Sequence, residues 1–292
     1  MVAVVTFFFD TKQIKHTIMA VTMAEISKLR TMTGAGMMDC KNALTESNGD
    51  FDKAVEIIRK KGQAVAAKRS DREASEGCVL AASKEAFAAC VALKCETDFV
   101  AKNADFIALT QTILDIVMDK QPTTLEEVLA LPMGNGTIAS SITDRSGITG
   151  EKMELGYYEW VKGASTVSYI HPGNKLATIA AFNLAGTDQT VSRDVAMQIA
   201  AMNPISLNRD SVPANVIATE LEIGRDKARQ EGKPEAMLDK IAEGRLNKFY
   251  QESTLLEQAF IKDGKITVQN YLKQANKDLT VTDFKRVTLN QE

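Results

Sequence analysis

Histidine, cysteine and glycine are the residue types here whose spacing could signal chemistry, and none of the familiar spacings is complete. Cys40, Cys78, Cys90 and Cys95 form no Cys-x-x-Cys pair, and His16 and His171 lie far from them in sequence. A zinc site therefore lacks a ligand set. The cysteines read as small buried apolar residues in a reducing, cytoplasmic setting. His171 precedes Pro172 at the end of an expected strand, where a solvated loop histidine is a plainer reading than a general base. Gly264-Lys265 is followed by Ile266 and lacks the upstream glycine of a phosphate loop. Gly34-Ala35-Gly36 and Gly134-Asn135-Gly136 lack the third glycine of a dinucleotide fingerprint. No Gly-x-Ser-x-Gly elbow occurs. These residues argue against an enzyme and call for no metal and no cofactor.

One segment does not fit a purely structural account. Glu96-Thr97-Asp98-Phe99-Val100-Ala101-Lys102-Asn103 joins an apolar strand to a long helical pattern. In one reading Thr97 or Asp98 caps the helix and Phe99 packs beside it. In the other, the segment is a presented loop whose ring and adjacent carboxylate make a compact binding hot spot. Periodicity alone leaves both open.

The elements that must position this segment follow from the hydrophobic pattern. Over Met23 to about Lys61 the spacing predicts three short helices. Thr33-Gly34-Ala35-Gly36 breaks the first from the second, Asn48-Gly49 closes the second, and Asp50 caps the third. A polar, Ala-rich run from Gly62 to Lys68, flanked by Arg59, Lys60, Lys61, Arg69 and Arg72, reads as a solvated helical linker over 62–73. A nucleic-acid contact is the alternative, but no aromatic residue interleaves with these charges to stack on bases.

Beyond Ser75 the period changes. Gly77 to Ala82 and Ala86 to Cys95 read as strands, the second with Phe87, Ala89, Val91, Leu93 and Cys95 on one face. A helix with Phe106, Leu109, Ile113, Ile116 and Val117 on its buried side follows, and Pro122 stops it. Short helices at Leu125 to Leu131 and Ile138 to Ile148 lead to a second unit. Its expected strands are Leu155 to Val161, Thr166 to His171 and Leu176 to Leu184, and its helix is Val191 to Met202. The two units echo each other weakly, as a duplication would. Pro213 to Glu231 and Pro234 to Gln251 read as an antiparallel helical hairpin, followed by a short helix at Thr267 to Gln274 and a closing strand at Leu279 to Leu289. The fold class expected is α+β. A small three-helix module (23–61) precedes two similar core subdomains, 74–150 and 151–292, with antiparallel sheets covered on one face.

Composition agrees. The chain has 292 residues, 45% of them hydrophobic, with 35 basic against 38 acidic side chains for a formal net charge of -3. That is enough apolar content for real cores and about two globular units. A mildly acidic chain lacks the electrostatics of a nucleic-acid coat, and no uncharged apolar run approaches the roughly 18 residues of a membrane span. Residues 1–22 are read as an extension. Met1 to Ile18 begins apolar and turns basic only at Lys12, the reverse of a signal peptide, and contains no arginine for a transit peptide. Translation is expected to begin at Met19 or Met23.

Two motifs carry a family resemblance. Leu29-Arg30-x-x-Thr33-Gly34-Ala35-Gly36-Met37-Met38-Asp39-Cys40-Lys41-x-Ala43-Leu44 resembles the N-terminal signature of the bacterial elongation factor Ts family, and Thr97-Asp98-Phe99-Val100-Ala101-Lys102-Asn103 resembles its second signature. The resemblance implies a guanine-nucleotide exchange factor for the GTPase elongation factor Tu. It implies that the three-helix module is ubiquitin-associated-like and docks on the GTPase through the motif positions Leu29, Arg30, Gly34, Gly36, Met37, Met38, Asp39 and Lys41. It also implies that Asp98 and Phe99 act as a wedge near the partner's Mg²⁺ and phosphate site, in a loop shaped by Thr97, Val100, Lys102 and Asn103. A DNA-reading helix-turn-helix is the rival for the module, but its second and third helices lack a polar, base-reading face, so no direct nucleic-acid partner is expected. Relatives in enteric bacteria carry a C-terminal helical module, whereas this chain reaches Glu292 soon after its last strand. The short hairpin argues against self-association through Pro213 to Gln251, and leaves one-to-one and two-plus-two complexes open. An adaptor or ribosome-associated module without exchange activity is the alternative function.

Overall fold

The structure is a computed structural model that describes residues 21–290. The expectation for Met1 to Ile18 lies outside these residues. Three helices open the described chain: α1 (Met23–Thr33), α2 (Met37–Glu46) and α3 (Phe51–Ala67). Local chemistry sets their ends. Thr22 and Glu25 form a reciprocal capping box on α1, Gly34 terminates it at φ +70°, and Asp50 caps α3. Ile26, Leu29, Cys40, Ala43, Leu44 and Ala54 fill the small core between them. The third helix does not stop near Lys61; it continues through the basic stretch to Ala67 without a break.

The first sheet starts with β1 (Glu76–Lys84) and β2 (Phe87–Cys95), joined by a two-residue turn in which Glu85 takes φ +51°. Then come α4 (Asp98–Ala101), α5 (Ala104–Lys120), α6 (Leu125–Ala130), a small hairpin of β3 (Pro132–Met133) and β4 (Gly136–Thr137), and α7 (Ile138–Thr149). Next are β5 (Glu154–Lys162), β6 (Ser165–Ile170), β7 (Leu176–Phe182) and α8 (Gln189–Met202). The hairpin of α9 (Ala214–Gln230) and α10 (Leu238–Ser253) leads to β8 (Ala259–Phe260), β9 (Asp263–Thr267), α11 (Val268–Ala275) and β10 (Val281–Thr288).

Two three-stranded antiparallel sheets form, in the orders β1-β2-β5 and β10-β7-β6. Strand β5 was expected with the second unit; it pairs instead with β2, from Phe87 opposite Lys162 to Lys94 opposite Glu154. The fold is α+β as expected, but the sheets are not covered on one face only. Phe87, Ala89, Val91, Leu93 and Cys95 face a core shared with α5, while Ala88, Cys90 and Ala92 face Ala177, Ile179 and Ala181 of the second sheet. Helix α8 and α11 cover the far side of that second sheet. The layer between the sheets is rich in alanine and cysteine, whose small side chains let two pleated faces approach closely.

The module joins this core by a close helix crossing. A Cβ on Gly147 of α7 would stand 2.0 Å from the Cα of Gly62 in α3, so only hydrogen fits there. Nearby, Arg59 pairs with Asp144 at 3.3 Å. In the helical hairpin the tight contact is also on small residues, Gly224 against Ala242, whereas Ile223 and Met237 of the expected apolar stripe are exposed.

Candidate partner-binding site

The loop between β2 and α5 is held from behind and bare in front. Thr97 is the N-cap of α4, its hydroxyl accepting the Val100 N–H at 3.4 Å, which satisfies the capping half of the structural reading. The packing half fails: Phe99 is 84% exposed, the most exposed large apolar side chain among the described residues. Val100 packs partly against the first core and Ala101 is buried, so this one-turn helix presents one ring outward while its opposite side is anchored. Asp98 stands beside the ring and binds the Lys102 ammonium at 2.7 Å one turn on. That hydrogen bond and charge hold the Asp98 carboxyl below the usual carboxylate range. Asn103 caps α5, accepting the Asp105 N–H at 2.9 Å.

Two carboxylates hold the base of the loop. Glu151 accepts the N–H groups of Glu96 and Thr97 at 3.2 and 3.1 Å and the Thr97 hydroxyl at 2.6 Å. Glu96 in turn accepts the Lys152 N–H at 2.7 Å and both of its oxygens lie 3.1 Å from Arg69, just beyond α3. The Lys152 N–H above all, then Arg69, lowers the Glu96 carboxyl from its ordinary value.

Positions expected in the three-helix module separate into two groups. Met37 and Met38 are exposed at the start of α2, with Met23 and Met32 exposed on α1. Nine residues of helix put Met23 and Met32 on opposite faces of α1, so Met37 and Met38 are the adjacent pair, soft and adaptable enough to fit an irregular partner. Arg30, Gly34, Gly36 and Lys41 are exposed as well, and Asp39 pairs with Lys61 of α3. Leu29 departs from the expectation: it is fully buried in the module core, so it holds the helices together and cannot face a partner.

Arg145 of α7, which sequence reasoning missed, brings the two motifs together. Its Nη2 donates to Asn103 at 3.2 Å and to Asp105 at 3.0 Å, while its Nη1 lies 3.6 Å from where a Cβ on Gly34 would stand. The Gly34 turn and the far end of the Phe99 loop thus meet on one guanidinium. Glu151 was missed for the same reason: its partners lie more than fifty residues away, beyond any local pattern.

Cys95 at the base of the loop and Cys40 in the module are, like Cys78 and Cys90, buried free thiols. Burial pushes the Cys78 thiol up to about 11 and the Cys95 thiol to about 12, leaving them protonated and inert at neutral pH. Among the described residues no three His, Cys, Asp or Glu side chains gather as a metal site, and no helix is long and apolar enough to cross a membrane. An exposed ring on an anchored turn with an adjacent carboxylate, and exposed methionines on a helix, are features of the kind that protein-recognition surfaces use.

Comparison with known proteins gives the family. A family model described as elongation factor TS matches residues 96–291. Elongation factor Ts of Porphyromonas gingivalis is 65% identical over 275 residues, covering 94% of this chain and all of that protein. Elongation factor Ts of Azobacteroides pseudotrichonymphae is 56% identical over 274 residues, again covering 94% of this chain and all of the relative. That of Phocaeicola vulgatus is 51% identical, with 94% and full coverage, over an alignment of 331 positions; this exceeds the whole chain of 292 residues, so that relative carries sequence absent here. With its second signature on an anchored and exposed loop and its similarity running through nearly the whole described chain, the protein belongs to the elongation factor Ts family.

Proposed function

We propose that the chain is a guanine-nucleotide exchange factor for elongation factor Tu, acting through insertion of the Asp98–Phe99 turn near the partner's Mg²⁺ and phosphate site. Its family already places it in translation elongation. The observation that carries the finer reading is Phe99, a large ring left 84% exposed on a turn anchored by Thr97 and by the buried Ala101. An exposed aromatic on a rigid turn has little to lose in conformational entropy and a whole face to bury.

A GTPase holds GDP through its phosphate loop and a Mg²⁺ that ties the phosphates to the protein. A ring forced between packed elements of such a partner shifts them discretely, because close-packed interiors do not bend smoothly. The neighbouring Asp98 carboxylate, prised from Lys102, perturbs the groups that orient the Mg²⁺. The exposed methionines of the three-helix module (23–61), ubiquitin-associated-like in this reading, dock on the GTPase domain, and the two core subdomains supply the remaining contacts. No bond breaks, so no acid–base pair is needed. Linkage makes the effect reciprocal: a factor that weakens GDP a hundredfold, about 2.7 kcal/mol, is itself bound a hundredfold more weakly by the GDP form.

The test is release of a fluorescent GDP analogue from elongation factor Tu. Acceleration at micromolar concentrations of this protein is expected. Binding without any acceleration would instead make it an adaptor.

A further inference from the structure

We propose that Glu151 is a positioning residue that fixes the direction in which Phe99 points; the inference rests on the exchange reading above. Helix α4 has four residues, a single turn that does not form stably by itself. Phe99, being exposed, receives no orientation from packing. The direction of its ring is therefore inherited from the backbone at Glu96 and Thr97, where the strand ends and the turn begins.

Glu151 is what holds that backbone. Its Oε2 accepts both N–H groups, of Glu96 and of Thr97, and its Oε1 accepts the Thr97 hydroxyl. Three donors on one carboxylate are charge-assisted and fix it in a plane. The hydroxyl bond has a second consequence. A threonine hydroxyl has one proton; given to Glu151, it leaves a lone pair directed at the Val100 N–H, which is the cap that starts α4. Glu151 thereby sets both the entry angle and the first hydrogen bond of the turn.

Glu151 is itself fixed. Its carbonyl accepts the Ser146 hydroxyl at 2.5 Å, its N–H reaches Thr149 Oγ1 at 3.3 Å, and Gly150 just before it turns the chain at φ +74°. The carboxylate of Glu96 returns the arrangement by accepting the Lys152 N–H. Since Arg145, six residues earlier and within α7, holds Asn103, the segment from 145 to 152 clamps the loop at both ends.

The experiment measures release of a fluorescent GDP analogue from elongation factor Tu over a series of factor concentrations, separating the maximal rate from the half-saturating concentration. In Glu151→Gln an amide NH₂ replaces one acceptor and confronts donors. We expect the maximal rate to fall roughly tenfold or more, as small misplacements of a reacting group do, while half-saturation shifts less than about threefold because the module still docks. Thr97→Val should reproduce the loss and Thr97→Ser should restore the rate, with melting temperatures of all variants reported alongside. A merely structural role would lower the amount of folded protein and leave the maximal rate intact. An unchanged maximal rate in Glu151→Gln and Thr97→Val, with wild type active, overturns the inference alone. A wild-type chain that releases no nucleotide overturns the exchange reading and the inference with it.

Discussion

Replacing Phe99 by alanine should separate binding from folding cleanly. Fully burying a phenylalanine gains about 1.5–3 kcal/mol. With 84% of the residue available to a partner, the side chain can contribute about 1.3–2.5 kcal/mol of binding, roughly 8- to 60-fold at 1.4 kcal/mol per decade. The remaining sixth of the ring contributes only about 0.2–0.5 kcal/mol to the fold, and alanine returns a similar amount as the better helix former. The melting temperature should therefore stay within about 2 °C of wild type. Phe106, eight positions from the start of the same loop's capping segment at Asp98 and fully buried, is the opposite control: Phe106→Ala should cost about 3–5 kcal/mol of stability. The assay is release of fluorescent GDP from elongation factor Tu, with a thermal melt of each variant. If Phe99→Ala releases nucleotide at the wild-type rate and half-saturation, the hot-spot argument is refuted. A large fall in melting temperature would instead mean that the ring packs within the chain.

Three further outcomes are expected. Gly147→Ala places a methyl 2.0 Å from the Gly62 Cα, so α3 must move off α7; a stability loss of about 1–3 kcal/mol by overpacking and faster proteolysis near Gly62 should follow. The depressed Glu96 carboxyl contributes stability that is fully present above its ordinary value of 4.5 and is lost as pH falls through its lowered folded value; amide exchange at Lys152, whose N–H the Glu96 carboxylate accepts, should accelerate relative to Phe106 below that pH, and Glu96→Gln should abolish the difference. The four thiols should resist alkylation at neutral pH in the folded state and react together on unfolding, since all are buried and burial raises those of Cys78, Cys90 and Cys95. Rapid labelling of Cys95, which lies at the base of the Phe99 loop, would show that the loop opens.

Local chemistry alone determined the helices and most of the strands. Thr22 with Glu25, Gly34, Asp50 and Thr97 mark ends because caps and left-handed turns are matters of a few neighbouring atoms. The two motifs were legible for a related reason: each is contiguous in the chain. Boundaries that depend on remote partners were not. The alanines of Gly62 to Lys68 indicated helix, but not that this run continues α3 as a single helix packed at Gly62 against Gly147 of α7.

Alternation in β2 pointed to one buried face, yet alanine and cysteine on the other face are apolar enough to be buried and small enough to look neutral; only the arrival of β7 decides it. Likewise β5 is a good strand by pattern, but whether it joins β2 or the strands after it is a question of backbone pairing across sixty residues. The sequence by itself thus determined the elements, the family and the residues that form the loop. Tertiary structure decided that Phe99 is bare rather than packed, that Leu29 is core rather than surface, and that Arg145 and Glu151 hold the loop in place. Each of those depends on which distant side chain comes to occupy the space beside it, and periodicity carries no information about that.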